Sequence, residues 1–257
     1  MTGVDVTKTD VTEAAKALRA LHVPGSPLVV PNAWDVSSAR VFAEAGHPVV
    51  ATTSVAVAAA LGYQDGHDMP ADVAFDAVRR IAAAVDVPVT TDIERGYDLP
   101  AARIGERLAE VGAAGCNLED SDPRTQAMVE IGEQAEFLAA VRAANPDLVI
   151  NARIDEFLHG EKSFDDAVRR AQAYFEVGVD CVFPIRLPGD RIAEFVEAVG
   201  RRPVNVGHGP GSPTANDLAP LGVARVSFGP GLHNVLMAKQ LTKMATAMLD
   251  GGSPYGG

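Results

Sequence analysis

Cysteine is nearly absent: the 257-residue chain has two, Cys116 and Cys181. No disulfide framework can therefore staple it, and a reducing, cytoplasmic setting is expected. Long apolar runs are missing too. The longest, Val55 to Leu61, is too short to cross a bilayer, and MTGVDVTKTDVTEAAKALRA at the start has neither the basic lead nor the apolar core of a signal peptide. Positive charge is scarce, with 22 Lys and Arg against 34 Asp and Glu and a formal net charge of −12. That balance would repel phosphate backbones and leaves no basic stripe for a nucleic acid. Small anions stay possible, since local arginines or a metal ion can recruit them inside an acidic protein. The strand-to-helix turns lack the Gly-x-Gly-x-x-Gly spacing of a dinucleotide site. GHGPGSP at 207–213 reads as a rigid turn, with an anion-binding nest as the alternative.

A composition of 47% hydrophobic and 22% charged residues is that of an ordinary globular domain. After a helix over Thr12 to His22, short β-branched runs alternate with amphipathic stretches to the end of the chain. Strands are expected at 28–30, 48–53, 88–92, 115–118, 148–151, 180–183, 203–206 and 224–227. Helices are expected at 37–45, 71–85, 99–111, 131–144, 164–177, 191–199, 214–221 and 232–249. Eight such units in this length predict an α/β fold, a (β/α)8 TIM barrel rather than a doubly wound open sheet. The whole of 1–257 would form one domain, with the barrel over about 26–249 and a glycine-rich flexible tail at 250–257.

Two strands end abruptly in acids. VPVTTDIERGYD places Asp92 and Glu94 after the third strand, and AGCNLEDSD places Glu119 and Asp120 after the fourth. Carboxylates at the C-terminal mouth of interior strands are costly to bury without a cation or a hydrogen-bond network. Neighbouring strands would bring Asp92, Glu94 and Glu119 to one point, an oxygen-rich set suited to Mg2+ or Mn2+. The alternative is helix capping or pairing with Arg95 and Arg124. The other strand ends carry Asn32, Trp34 and Asp35; Thr52, Thr53 and Ser54; and Asn151, Arg153 and Asp155. The loop after the second strand carries Tyr63, Gln64, Asp65, His67 and Asp68. Arg153 offers a bidentate carboxylate clamp, or else an ion pair with Asp155 or Glu119. Ser54 could serve an oxyanion or cap a turn, and Trp34 could wall the pocket. Arg186 also stands near a strand end, its direction open, while His208 and His233 read as loop residues.

The order of PNAWDVSSARVFAEAG, TTSVAVAAALGYQDG, TDIERGYD, AGCNLEDS, NARIDEFL and GVARVSFGP resembles the successive signatures of the isocitrate lyase/phosphoenolpyruvate mutase superfamily over about 30–229. The resemblance implies a (β/α)8 barrel whose last helix swaps between subunits of a homodimer or homotetramer. It implies Mg2+, with Mn2+ possible, held by Asp92, Glu94, Glu119 and Asp65, and a substrate held by Arg153 and the segment around Ser54, Thr53 to Val55; Trp34 and Asn151, from their places at strand ends, complete the expected substrate-binding set. One segment departs: LEDSDPRTQAMVEIGEQ contains neither the Lys-Lys-Cys-Gly-His gating loop of the lyases nor the mutase's Lys-Thr-Asn-Ser, and Cys116 lies inside a strand. Asp65, Tyr63, His67 or His208 could supply the missing acid or base, with Arg153, Asp65 and Tyr63 as the catalytic set. The expected chemistry is carbon–carbon cleavage or decarboxylation of a small 2-oxo or 2-hydroxy carboxylate, oxaloacetate-like or methylisocitrate-like, through a metal-stabilised enolate. A phosphonopyruvate P–C enzyme, mutase or hydrolase, and a non-catalytic dicarboxylate-binding barrel are the alternatives.

Overall fold

Short runs of β-branched residues, too apolar to face water on either side, build a parallel sheet that closes on itself. The computed structural model describes residues 8–66 and 68–255. Its strands are β1 (Leu28–Val30), β2 (Asn32–Ala33), β3 (Val50–Thr52), β4 (Val89–Asp92), β5 (Gly115–Leu118), β6 (Val149–Ile154), β7 (Cys181–Pro184), β8 (Asn205–Gly207) and β9 (Arg225–Ser227). β2 to β7 pair in sequence order, and β1 pairs with β9, which pairs with β8. Pro31 has no N–H to give and separates β1 from β2, which are two halves of one stave. The ring closes between β7 and β8 through a parallel bridge, Val182 with Val204, and the Val182 N–H donates to the Pro203 carbonyl at 3.1 Å. The result is the expected eight-stave barrel. Asn32 stitches the seam: its amide donates to the Thr52 carbonyl at 2.7 Å, and its oxygen accepts the N–H groups of Phe228 and Gly229 at 2.8 and 3.0 Å.

The outer helices bury one stripe each. α4 (Ala71–Ala82) turns Phe75, Val78 and Ile81 inward, while Asp76 pairs with Arg79 and Arg80 on the wet face. α5 (Ala101–Glu110) buries Ile104 and Leu108 and crosses α6 (Ile131–Ala144) so closely at Gly105 that a Cβ there would lie 2.9 Å from the Ala144 methyl. α7 (Phe164–Glu176) starts with the Ser163 hydroxyl accepting the Asp166 N–H at 3.2 Å. α8 (Ile192–Ala198) and α9 (Ala215–Leu218) complete the layer.

α1 (Lys8–Ala20) lies across the N-terminal end of the barrel. Ala15 and Leu18 pack against Val30, Val49, Ala114 and Val149. Arg19 donates to Asp180 at 2.6 Å and to the Asp147 and Leu148 carbonyls. Asp180 also accepts Arg142 at 2.5 Å and the Ile150 N–H at 2.8 Å, so one carboxylate ties α1, α6, β6 and β7 together.

Three elements differ from expectation. Ser54–Leu61, where no helix is expected, is a helix, α3: Ala56, Val57 and Ala58 are buried along it, which erases the polar stripe that would reveal it. β6 runs on to Ile154, which puts Arg153 on the strand itself. The last helix covers the expected span as α10 (Gly231–Asn234), a π-helical stretch over Val235–Leu241, and α11 (Thr242–Leu249). Val235, Leu236, Met237, Leu241, Met248 and Leu249 are exposed along it. No helix among the described residues is long and apolar enough to cross a membrane. Part of the expected tail, 256–257, lies outside the described residues.

Candidate active site at the barrel mouth

Strand ends converge on a cavity of about 690 Å3 whose walls include Asp65, Asp92, Glu94, Glu119 and Arg153. The Thr52 hydroxyl meets the Thr91 hydroxyl at 2.9 Å and accepts the Asp92 N–H at 3.0 Å, fixing the end of β4 against β3. The chain then turns through left-handed backbone at Glu94, Gly96, Tyr97 and Asp98 (φ 53, 92, 53 and 61°). Gly96 is required there, since a Cβ would fall 2.2 Å from Ile104 Cδ1. Non-glycine residues in this region carry strain, and here it aims the Glu94 carboxyl at the cavity.

Burial and mutual repulsion leave the acids short of positive charge. Burial raises Asp92 above its ordinary range and Glu94 adds to that, while Arg153 and the Glu94 N–H oppose it. Glu119 is pushed well above its usual value by burial, with Asp155, Asp92 and Asp65 adding and Arg153 opposing. The Asp65 residue keeps solvent access at the mouth, but its carboxyl faces the other acids. Burial first, then Asp92 and Glu94, carry it up to about 6 against a hydrogen bond from Ser54. Arg153 is the cation among them. Burial works against its charge, yet Glu119, Asp155 and Asp92 outweigh it and hold it firmly protonated.

Arg153 makes both ion pairs left open by the sequence: Nη1 with Glu119, and Nε with Asp155 Oδ1 at 2.5 Å. It also lines the cavity, so the pairing orients the guanidinium and does not remove it from the site. Behind it, Asp120 accepts the Asp155 N–H at 2.7 Å, the Tyr174 hydroxyl at 2.7 Å and Arg170 at 3.2 Å.

Other expected site residues divide. Thr53, Ser54 and Val55 line the cavity. Asn151 is fully buried and donates to Asn117 Oδ1 at 2.8 Å, and it is Asn117 that reaches the wall. Trp34 stands outside, in a second cleft of about 440 Å3 with Leu61 and Ile81, its ring edge-on to His233 at 5.0 Å. Tyr63 packs on the hydrophobic core and is absent from the cavity wall: its N–H bonds back to the Ala58 carbonyl at 2.9 Å, closing the unexpected α3. Asp35 is a helix cap, accepting the Ser38 N–H at 2.7 Å. Arg95 and Arg124 turn away to Glu133 and Asp98, whereas Arg186 and His208 line the cavity. His67 lies outside the described residues. At 207–213 the rigid turn is what forms: Gly209 N–H donates to the Ser212 hydroxyl and Ser212 N–H to the Gly209 carbonyl, each at 3.0 Å. Sequence reasoning did not find His159, Asn117, Ser121 or Phe183, whose types carry no signal without their place at a strand end.

The residues present suit a hard divalent cation, which wants oxygen ligands: four carboxylates line one cavity, with Arg153 the cation paired among them. They do not form a ready-made cage. Among the described residues no three acids, imidazoles or thiols gather closely enough to hold an ion, and Glu119 is paired with Arg153.

The likeness to known proteins runs the length of the barrel. The family model of phosphoenolpyruvate phosphomutase matches residues 18–249. The oxaloacetate decarboxylase of Rhodopseudomonas palustris is 31% identical over 252 residues, covering 93% of this chain and 86% of that protein. The 2-methylisocitrate lyase of Bacillus subtilis is 30% identical over 202 residues, 75% of this chain and 65% of that one. A Burkholderia cenocepacia crystal structure, of a protein proposed to be a phosphonomutase, superposes with a TM-score of 0.84 at 37% identity over 91% of this chain and 99% of its own. With the acid-ended strands and the closed barrel in place, the chain belongs to the phosphoenolpyruvate mutase/isocitrate lyase superfamily of lyases and mutases.

Proposed function

We propose that this enzyme is a Mg2+-dependent carbon–carbon lyase or decarboxylase acting on a small 2-oxo or 2-hydroxy carboxylate, with Mn2+ as a substitute ion. The observation that supports it most is the convergence of Asp65, Asp92, Glu94 and Glu119 with Arg153 on one cavity. Those four acids would hold the ion, directly or through water, and bound there it would polarise a 2-oxo group as a Lewis acid. Arg153, pinned on two sides, presents its remaining N–H groups to a substrate carboxylate. Ser54 and the Thr53–Val55 backbone at the start of α3 face the same space and orient the opposite end of that carboxylate or its oxo neighbour. In the metal-free site burial, then Asp92 and Glu94, raise Asp65 to about 6, a charge conflict that a bound cation would relieve.

Decarboxylation fits this machinery better than retro-aldol cleavage of a 2-hydroxy acid, which needs a base to take the hydroxyl proton, and the segment after Glu119 supplies no lysine, cysteine or histidine. P–C bond chemistry on phosphonopyruvate is the second reading, favoured by the description of the matching family. A cytoplasmic location and homo-oligomeric assembly complete the proposal. The thiols of Cys116 and Cys181 are buried and unpaired, and the C-terminal helix exposes an apolar stripe.

Product analysis decides among these. The metal-stripped protein is incubated with 2-oxo and 2-hydroxy di- and tricarboxylates and with phosphonopyruvate, with and without Mg2+. Mg2+-dependent release of carbon dioxide or of a 2-oxo acid from a carboxylate upholds the reading. Turnover of phosphonopyruvate above every carboxylate, or of none, overturns it.

A further inference from the structure

The mouth is divided by charge. In the ring of staves, β7 stands opposite β3 and β8 opposite β4. The cavity acids all come from one side: Asp65 after β3, Asp92 and Glu94 at β4, Glu119 after β5. From the end of β6 through β9, beyond Arg153, the wall carries no carboxylate; its ionisable members are His159, Arg186 and His208.

Arg186 sets this side apart. In a chain of net charge −12, surface arginines find acids easily: Arg79, Arg124, Arg191 and Arg201 each have one. Arg186 has no ion pair or hydrogen-bond partner among the described residues, although it lines an acidic protein's main cavity. Its backbone is left-handed, φ 60°, in a tight turn in which the Leu187 N–H returns to the Pro184 carbonyl at 3.2 Å. A non-glycine residue in that conformation is strained. The strain directs the chain just past β7 and puts the arginine, between Ile185 and Leu187, on the cavity wall. His208 lines the same wall after β8, its N–H on the Ser227 carbonyl at 2.7 Å and its ring 5.1 Å from Phe228.

A cavity of about 690 Å3 is several times what a two- or three-carbon acid fills, so a substrate held only by the ion and Arg153 would leave this half empty. Resting on the carboxylate chemistry proposed above, we propose that Arg186, assisted by His208, forms a second anion subsite. It binds the distal carboxylate of the substrate and makes Arg186 the residue that selects a longer dicarboxylate over a monocarboxylic 2-oxo acid. The apolar walls from Ile185, Leu187 and Phe228 would then lie along the methylene chain between the two charged ends.

Calorimetry in Mg2+ with three probes tests this. Oxalate reaches only the acid and Arg153 side. 2-Oxoglutarate and 2-oxovalerate have equal chain length and differ by the distal carboxylate. The wild type binds 2-oxoglutarate roughly 10-fold or more tighter than 2-oxovalerate, as expected for one charge-assisted contact. Arg186→Ala brings that ratio close to one and leaves oxalate affinity unchanged. Arg186→Gly, which suits the left-handed backbone, guards against a folding defect and behaves the same way. A wild type that does not distinguish the two oxo acids, or an Arg186→Ala ratio equal to wild type, overturns the subsite while oxalate binding still upholds the proposed function. Failure of oxalate to bind the wild type overturns both.

Discussion

Asp155 holds Arg153 from behind: its Oδ1 accepts the Arg153 Nε at 2.5 Å, and its Oδ2 accepts the Ser121 hydroxyl at 2.5 Å. Asp155 is fully buried, so Arg153 points where a rigid, enclosed carboxylate directs it. Asp155→Asn keeps the volume but replaces one strong acceptor with an amide that cannot serve both donors. Substrate kcat/KM and oxalate affinity should each fall by about 10²-fold. Ser121→Ala removes only one bond and should cost about 10-fold at most. Steady-state kinetics on the best substrate check both, and a drop within roughly 3-fold for Asp155→Asn would remove Asp155 from the positioning of Arg153.

Metal dependence has a stability signature as well as a kinetic one. Saturating Mg2+ should raise the melting temperature of the wild type, since 100 times Kd contributes about 2.7 kcal/mol to the folded state. Asp92→Ala should abolish that rise, and its metal-free form should melt no lower than metal-free wild type, because it removes one member of a mutually repelling set. Thermal melts with EDTA and with Mg2+ measure this. An undiminished Mg2+ shift in Asp92→Ala counts against the assignment.

His22 makes the fold acid-sensitive. It is buried, with Nδ1 on the Leu18 carbonyl at 2.8 Å, and burial, followed by the nearby Arg225 charge, lowers it from 6.5 to about 4. The unfolded chain therefore takes up a proton below about pH 6.5 that the folded chain refuses until about pH 4. Stability is unaffected above that window and falls on acidification through it, by on the order of 3 kcal/mol. Asp65 and Asp120, both raised to about 6 chiefly by burial, run the other way, because the folded state binds their protons first. Urea denaturation of wild type and His22→Gln between pH 7 and 4 isolates the histidine: their stability difference should change across the window, and a constant difference would contradict it.

Leu236, Met237, Leu241 and Met248 keep about half of their surface exposed, an apolar stripe on the last helix that a second copy of the chain would cover. Sedimentation at micromolar concentration should show a dimer or tetramer. Leu236→Glu with Leu241→Glu should shift it to monomer while leaving the barrel folded. A wild type that sediments only as monomer would rule this out.

Most of the barrel is legible in the sequence because its strands are too short and apolar to be anything else, and Gly46, Gly112, Gly178 and Gly222 mark where helical stretches stop. The acids after β4 and β5 announce the site for a similar reason: carboxylates closing a buried strand need an explanation. α3 escapes because burial on several sides removes its stripe. Trp34 and Tyr63 mislead because a large aromatic near a strand end has a direction no spacing reveals, and the direction is set by α2 (Val36–Glu44) in one case and the end of α3 in the other. Arg186 is the converse. Only its left-handed turn and its place on the wall distinguish it from Arg95 and Arg124, which pair outward.

α1 lies across the N-terminal end with Leu18 fully enclosed among barrel residues, so among the described residues that end is filled by packed side chains. A lyase working from the mouth would release the fragment near the rim first and the one on the acids and Arg153 last. The inner product should therefore inhibit competitively against substrate, and the outer one noncompetitively.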